Sequence, residues 1–501
     1  MSQVYTFHET VRGHLHIMNE LPCEDASASY SSEDGKYHIA IVADGHGSKS
    51  CFRSNLGSKI ATEVAMECLR QFAEQILVSE ESEHRFYQDV FSSSRNRQMT
   101  IRRLTDTILA RWHDRVTENY ENDPPSADEM GECVTEYEIA HIYGTTLIAA
   151  LQMPMCLVLI HQGDGRCDVF FSDGSVDQPI PWDDRCEDTA TTSLCDEDAA
   201  DRFRSFVLDL SEKPVMACYL GCDGVEDAYR DTYEDLGDSH VLMGGVHTFY
   251  KYLTYTLAEM GQAEFKSSLE KMFSEFSEKG KFSRSGSGDD VSVAGIVDLD
   301  VISQFVVQYK YEVNRYSLEE KLFWKVDELR GKTRKHGILK KRVEEIQAAL
   351  HDARTTQQSL ESRLKQRKMG REELGRKVEQ AKTDWEGCLQ ELQTELEHFE
   401  GRSIIYFCVF SQRYLNAIKV ECSQKEAVYQ KNYRMLLKVD EQIKKDESAR
   451  IDQIKIVKEL EEKLAEAQAA FTEYDAKYQA IDADRIRFEE QIAALQEENG
   501  E

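Results

Sequence analysis

Three aspartates in this chain share a setting that suggests chemistry. Asp44, Asp164 and Asp223 each follow a short apolar run and each precedes a glycine, while Asp289 comes just before another such run. In an antiparallel sheet the end of one strand lies beside the start of its neighbour, so the pattern can gather all four carboxylates on one edge. Glu24-Asp25, after the turn-like Leu21-Pro22-Cys23, can join them. Such a cluster is electrostatically untenable without cations. Hard oxygen ligands with no accompanying His/Cys set point to Mg²⁺ or Mn²⁺ rather than zinc. Taken singly, each Asp-Gly is better read as a hairpin turn. The ordered set is what carries the reading.

The elements that would position these residues are legible as apolar runs. Tyr37–Ala43, Thr145–Leu151, Cys156–His161, Val215–Leu220 and Val291–Val297 read as strands, and Cys167–Phe171 as the hairpin partner of Cys156–His161. Helical spacing covers Ser50–Val78, Asn96–Thr117 and Val246–Phe276. Strands and helices arranged this way predict an α+β layered domain with largely antiparallel sheets.

The chain divides by charge. Of its 501 residues, 1–300 hold 25 basic and 54 acidic side chains, whereas 301–501 hold 36 and 38. An overall charge of −31 argues against nucleic acid or anionic membranes as partners, because both need Lys and Arg to displace counterions. The 13 cysteines include no C-x-x-C pair, which suits a reducing cytosol. No apolar run approaches the ~20 residues that span a bilayer, and the first residues do not read as a signal peptide. The expectation is a cytoplasmic protein.

The series C-E-D-A (23–26), V-A-D-G-H-G (42–47), Y-G-T-T (143–146), G-D-G-R (163–166), G-C-D-G-V-E-D (221–227) and G-D-D-V-S-V (288–293) resembles the protein phosphatase 2C-type, metal-dependent serine/threonine phosphatases. The match runs over residues ~10–298 in the family's order. Residues 8–26 resemble its bacterial branch, with His16 upstream of Pro22-Cys23-Glu24-Asp25-Ala26. The resemblance implies an antiparallel β-sandwich flanked by helices, with two Mg²⁺ or Mn²⁺ ions in a cleft at one end and a phosphoprotein as substrate. It implies that Asp44 bridges the metals with the Gly45 carbonyl as a further ligand, that Asp223 and Asp289 hold one ion and Glu24 the other, and that Asp25 steadies metal-bound water. Asp164 and Asp227 match a weaker third metal site. His46 matches the acid that protonates the leaving serine or threonine oxygen, a task suited to a group titrating near neutrality. Two ions would activate water and neutralise the phosphoryl oxygens.

One position departs from the pattern. Much of the family places a phosphate-binding Arg where Glu20 stands, and Glu20 would repel phosphate. Arg12, His14 and His16 are the substitutes, His16 fitting the bacterial pattern best.

Beyond Tyr316 the texture changes to Glu, Lys, Gln, Leu and Ala without proline. Apolar residues recur at spacings of three and four, as in Leu339, Val343, Ile346, Leu350, Ala353, and again from Leu374 to Leu392. A longer seam runs from Val457 through Leu460, Leu464, Ala467, Phe471, Tyr474, Tyr478 and Ile481 to Leu495. Heptads sustained over this length predict a coiled coil. The expected organisation is a phosphatase domain over 1–300, a connector over 301–315 and a coiled-coil arm over 316–498. A helical hairpin turning near 400–412 is favoured, with pairing between two chains as the alternative. Gly331, Gly337, Gly370 and Gly375 are expected to weaken or break the first helix. The apolar patch Ile404–Phe410 would sit at the tip as a docking surface or inside a small cap. The arm would recruit a protein partner, regulate the enzyme or drive self-association. The competing reading is a coiled-coil scaffold whose phosphatase-like domain is weakly active or inactive. A coiled-coil ATPase is set aside because no G-x-x-x-x-G-K-[ST] loop is present.

Overall fold

The structure is a computed structural model that describes residues 3–126, 129, 139–186, 190–229, 232–234, 241–279, 288–374 and 428–500. It forms two compact units, Met1–Trp324 with Arg487–Glu501, and Lys325–Ile486.

Two five-stranded antiparallel sheets make up the first unit. One has β1 (Val4–Val11), β12 (Val291–Asp298), β9 (Val215–Gly221), β6 (Arg166–Phe171) and β7 (Val176–Asp177) side by side; the other has β2 (Ala26–Ser31), β3 (His38–Ala43), β4 (Leu147–Met153), β5 (Cys156–Gln162) and β8 (Arg204–Asp209). A short pair, β10 (Thr232–Glu234) and β11 (Val241–Met243), stands apart. The helices are α1 (His14–Met18), α2 (Ser54–Ile76), α3 (Glu80–Ser92), α4 (Ser94–Asn122), α5 (Ala199–Arg202), α6 (Asp223–Ala228), α7 (Gly245–Met260), α8 (Gln262–Lys279), α9 (Leu299–Ile302), α10 (Val306–Leu374) and α11 (Val428–Asn499).

Strand β3 shows why its sequence has no polar face. Ala40 and Val42 join one core with Phe7, Val169 and Val293 of the facing sheet; Ile39, Ile41 and Ala43 join another with Val64, Leu69, Ile108 and Trp112 of α2 and α4. Alternate residues enter different cores, so a period of two coexists with a continuous apolar run.

The same double burial hid a topological fact. Cys156–Gln162 and Arg166–Phe171 are not a hairpin: β5 pairs with β4 and β8, while β6 pairs with β9 and β7. The link between them carries the chain from one sheet to the other. Gly163 (φ 100°) and Gly165 (φ 77°) take the left-handed backbone that this crossing requires. The single helical pattern over Val246–Phe276 is two helices, broken at Gly261, whose positive φ of 77° only glycine adopts readily and which ends α7. Ser79 caps α3 by accepting from Ser82 N–H at 3.2 Å, ahead of Glu80, Glu81 and Glu83 in the first turn.

Residues 301–315 are more than a connector. Ile302 and Tyr309 are fully buried in the first unit's core, and Phe305 packs against it. In the second unit the two long helices pair side by side in opposite directions. Leu350 and Ala353 meet Val457 and Leu460; Arg354 pairs with Glu461 at 2.7 Å and Arg450 with Glu361 at 3.3 Å; Arg367 and Asp446 form a buried ion pair. His336 bonds Asp475 at 2.7 Å and stacks on Tyr478. Gly331, Gly337 and Gly370 do not break α10, because partner contacts outweigh a helix cost of about 1 kcal/mol per glycine. Gly375, the seam from Val378 to Leu392, the turn near 400–412 and the patch Ile404–Phe410 lie outside the described residues.

Trp112 is fully buried and its indole N–H donates to Gly57 O at 3.1 Å, tying α4 to α2. Trp112→Ala is expected to lower unfolding stability by about 3–5 kcal/mol, read by urea denaturation. A loss below ~1 kcal/mol would contradict this packing.

Candidate active site

The acidic residues come from the ends of strands in both sheets. Asp44 follows β3, and its backbone is fixed from the start of β4. Thr145 Oγ1 and Thr146 N–H both donate to Asp44 O at 2.8 Å, and Asp44 N–H donates to Thr146 Oγ1 at 3.0 Å. Glu24 and Asp25 precede β2, Asp223 opens α6 after β9, and Asp289-Asp290 precede β12. Gly45 is needed for close approach, since a Cβ there would come within 2.5 Å of Glu24 O.

These placements crowd like charges. Ligand atoms of Asp25, Asp44 and Cys222 all lie within 4.8 Å of one another, and so do those of His16, Asp289 and Asp290. Burial, then Asp290 and Asp223, pushes the Asp25 carboxyl well above the usual range. Burial, then Asp25 and Asp223, does the same for Asp44. Asp25 Oδ2 is buried with no hydrogen-bond partner. Burial also raises Glu24, whose Oε1 accepts from Ser54 Oγ at 3.0 Å. Asp164 is half-buried, is raised by burial, and lies close enough to act on Asp44. Oxygen donors that repel one another, one of them orphaned, fit a bound divalent cation.

A family model described as Protein phosphatase 2C matches residues 12–274, just over half of the chain. The chain belongs to the protein phosphatase 2C family. With it the chain joins the protein serine/threonine phosphatases. A search of the curated proteins finds no match. Among solved structures, the chain is similar to a bacterial serine phosphatase (14% identity, 60% of this chain and 98% of that one, TM-score 0.33). It is also similar to Stp1 of Staphylococcus aureus (16%, 59% and 95%, 0.32) and to the catalytic domain of PstP in complex with 2 manganese ions (15%, 59% and 97%, 0.32).

Burial and neighbouring charge set the surroundings of the other candidate residues of this phosphatase 2C domain. Burial, with His141 adding to it, lowers the His46 imidazole to about 4. Its Nε2 is buried without a hydrogen-bond partner, and cations at the neighbouring carboxylates would lower it further. Arg12 is turned to the protein, its Nη2 donating to His16 O at 3.1 Å and Ile17 O at 3.4 Å. His16 faces carboxylates, with Nδ1 3.1 Å from Asp290 and Nε2 3.4 Å from Asp289. Asp290 is the main cause of its rise to about 9. His14 Nδ1 lies 3.2 Å from Ser277 O. None of the three is presented as an open phosphate ligand. Glu20 is exposed and left-handed (φ 58°). The side chain of Asp227 lies outside the described residues.

Sequence reasoning passed over Asp290 and Cys222. Asp290 accepts Gly13 N–H and Glu24 N–H at 2.6 Å each. Burial opposes its charge, but His16 and these two amides outweigh it and hold the carboxyl below its usual value. The doubled acid in G-D-D-V was the available signal. Cys222, against Asp223, accepts Ser292 N–H at 3.1 Å.

Burial lowers His161 to about 3 from an ordinary 6.5, with Nε2 2.7 Å from Asp164 O. The unfolded chain therefore binds the extra proton first. Stability is present above pH 6.5 and is lost as the pH falls toward 3. Urea unfolding at stepped pH should show wild type losing stability faster than His161→Gln, by up to about 1.4 kcal/mol per pH unit. Equal slopes would refute it.

Proposed function

We propose that the chain hydrolyses phosphoserine and phosphothreonine in phosphoproteins, with Mg²⁺ or Mn²⁺ held by Asp44, the Gly45 carbonyl, Asp223, Asp289 and Glu24. The observation that carries this reading is the mutual crowding of Asp25, Asp44 and Asp223, whose carboxyls are destabilised until cations neutralise them. Two such ions supply charge for the phosphoryl oxygens and acidify water. Asp44 can serve two ions because Thr145 and Thr146 hold its backbone still. Asp25, with one oxygen unpartnered, orients water rather than substrate. Asp164, and Asp227 beside the same cluster in sequence, would hold a third, weaker ion.

Phosphate docking is not assigned to Arg12, and His16 serves instead to offset Asp289 and Asp290. The paired helices of the second unit act as an intramolecular coiled-coil arm that recruits or senses a protein partner. Contacts such as Arg354–Glu461 and Arg450–Glu361 favour this over pairing between chains.

The test is phosphate release from a phosphothreonine peptide by the full-length protein, with Mn²⁺ and then with EDTA. Wild type should be active and chelator-sensitive, and Asp223→Ala should lose at least about a hundredfold, the scale at which a group stabilising transition-state charge acts. Turnover like wild type in Asp223→Ala would sink the assigned site. No release under any metal condition would favour the scaffold reading.

A further inference from the structure

The loop that joins β1 to β2 exposes apolar side chains beside the carboxylate edge. Leu15, Ile17, Met18 and Leu21 are 39% to 68% exposed, four large apolar residues within seven positions, and no residue of α1 is buried. Soluble proteins seldom leave such a cluster in water unless something covers it in use. The loop is nonetheless firmly held. Gly13 N–H donates to Asp290 Oδ1 at 2.6 Å, and Leu15 N–H to Gly288 O at 3.0 Å. A Schellman turn closes α1: Leu21 N–H donates to His16 O at 2.9 Å and Glu20 N–H to Ile17 O at 3.3 Å. Glu20 takes the left-handed backbone (φ 58°) that glycine usually supplies there. The turn brings Leu21 back across the end of α1, so the apolar side chains share one compact platform. His16, between Leu15 and Ile17, faces inward instead, with Nε2 3.4 Å from Asp289.

Charge decides which partner suits this platform. Residues 1–300 hold 25 basic and 54 acidic side chains, and Glu20 stands exposed between Met18 and Leu21. A segment that is both apolar and basic complements such a surface, whereas a second copy of this acidic domain does not. We propose that Leu15, Ile17, Met18, Glu20 and Leu21 form a docking surface for the substrate polypeptide, taking a bulky apolar side chain and a neighbouring Lys or Arg close to the phosphoresidue. The inference rests on the phosphatase reading. Position supports it: the platform hangs from Asp290 at one end and runs into Glu24 at the other, whose N–H also donates to Asp290, at 2.6 Å. A phosphoresidue at the carboxylates therefore has its chain neighbours within reach of the loop, each extended residue adding ~3.3 Å. Met18, the most exposed of the four, is unbranched and polarizable, so it can mould to different apolar side chains. Glu20, which would repel a phosphate, suits the cation beside it. Contacts so far from the reacting atoms are equal in ground and transition states, so they lower KM and leave kcat unchanged.

The test gives the full-length, Mn²⁺-loaded protein three substrates: a small aryl phosphate, a phosphothreonine peptide with Leu and Lys beside the phosphoresidue, and the same peptide with Ala at both places. Wild type should show a KM for the Leu/Lys peptide at least about tenfold below that for the Ala peptide, the scale of burying one large apolar side chain. Met18→Ser/Leu21→Ser should lose this preference with kcat unchanged; Leu15 is left intact because it packs on Gly288, where a Cβ would come within 2.6 Å of it. Glu20→Gln should narrow the preference at low salt and not at high salt. All three proteins should hydrolyse the aryl phosphate alike, since it is too small to reach the platform. Equal KM for the two peptides in wild type, or the same preference in the double variant, would overturn the surface. A preference that Glu20→Gln leaves unchanged at low salt would overturn the charge claim. A concentration-dependent dimer that only the double variant loses, with no peptide preference, would assign the patch to a second copy and overturn the proposal too. Should wild type leave the aryl phosphate intact with every metal, the phosphatase reading fails. Fluorescence anisotropy of the two peptides, dye-labelled, then decides the surface, which stands only if wild type binds the Leu/Lys peptide at least about tenfold more tightly and the double variant does not.

Discussion

Repulsion among carboxylates at one edge of a β-sandwich is the constraint on which the rest of this molecule depends. Asp25 is buried and Asp44 half-buried beside Asp223, and each pays in desolvation as well as in like charge. Folding tolerates this because each acid is fixed by backbone that the sheets have already committed. Asp44 is held by Thr145 and Thr146, and Asp290 is held by the amides of Gly13 and Glu24. His16 supplies one compensating charge from α1, leaving the remainder to cations.

The sandwich itself is indifferent to that chemistry. Its two cores are filled by strands such as β3 that divide their side chains between the facing sheet and the α2–α4 layer. This double burial makes the strands rigid mounts whose ends carry the acids. A site of this kind needs such mounts, because carboxylates on mobile loops would swing apart and remove the cation affinity.

Much of this could be read from residue types. Runs such as His38–Ala43 and Val291–Asp298 have the strand signature, and the acids flank them at a shared edge. What failed to appear was pairing. Cys156–Gln162 and Arg166–Phe171 look like a hairpin because both are apolar throughout, yet they lie in different sheets, and only the left-handed Gly163 and Gly165 hint at the crossing. Local pattern also misjudged environment. The motif around His46 names a residue that should titrate near neutrality, but burial, with His141 adding to it, lowers its proton affinity, and both are tertiary properties. Asp290 was passed over for a related reason: the amides of Gly13 and Glu24 that hold it come from distant sequence, and only the fold brings them to it. Gly331 and Gly337, read as weak points of the long helix, are carried through by partner contacts that propensity does not include.

The central claim is that the crowded carboxylates exist to hold cations. Calorimetric titration of Mn²⁺ into the full-length, metal-stripped protein tests it most directly, with Asp44→Ala as the comparison. The account predicts saturable binding by wild type that Asp44→Ala loses. No saturable heat in wild type, or equal binding by the variant, would contradict it.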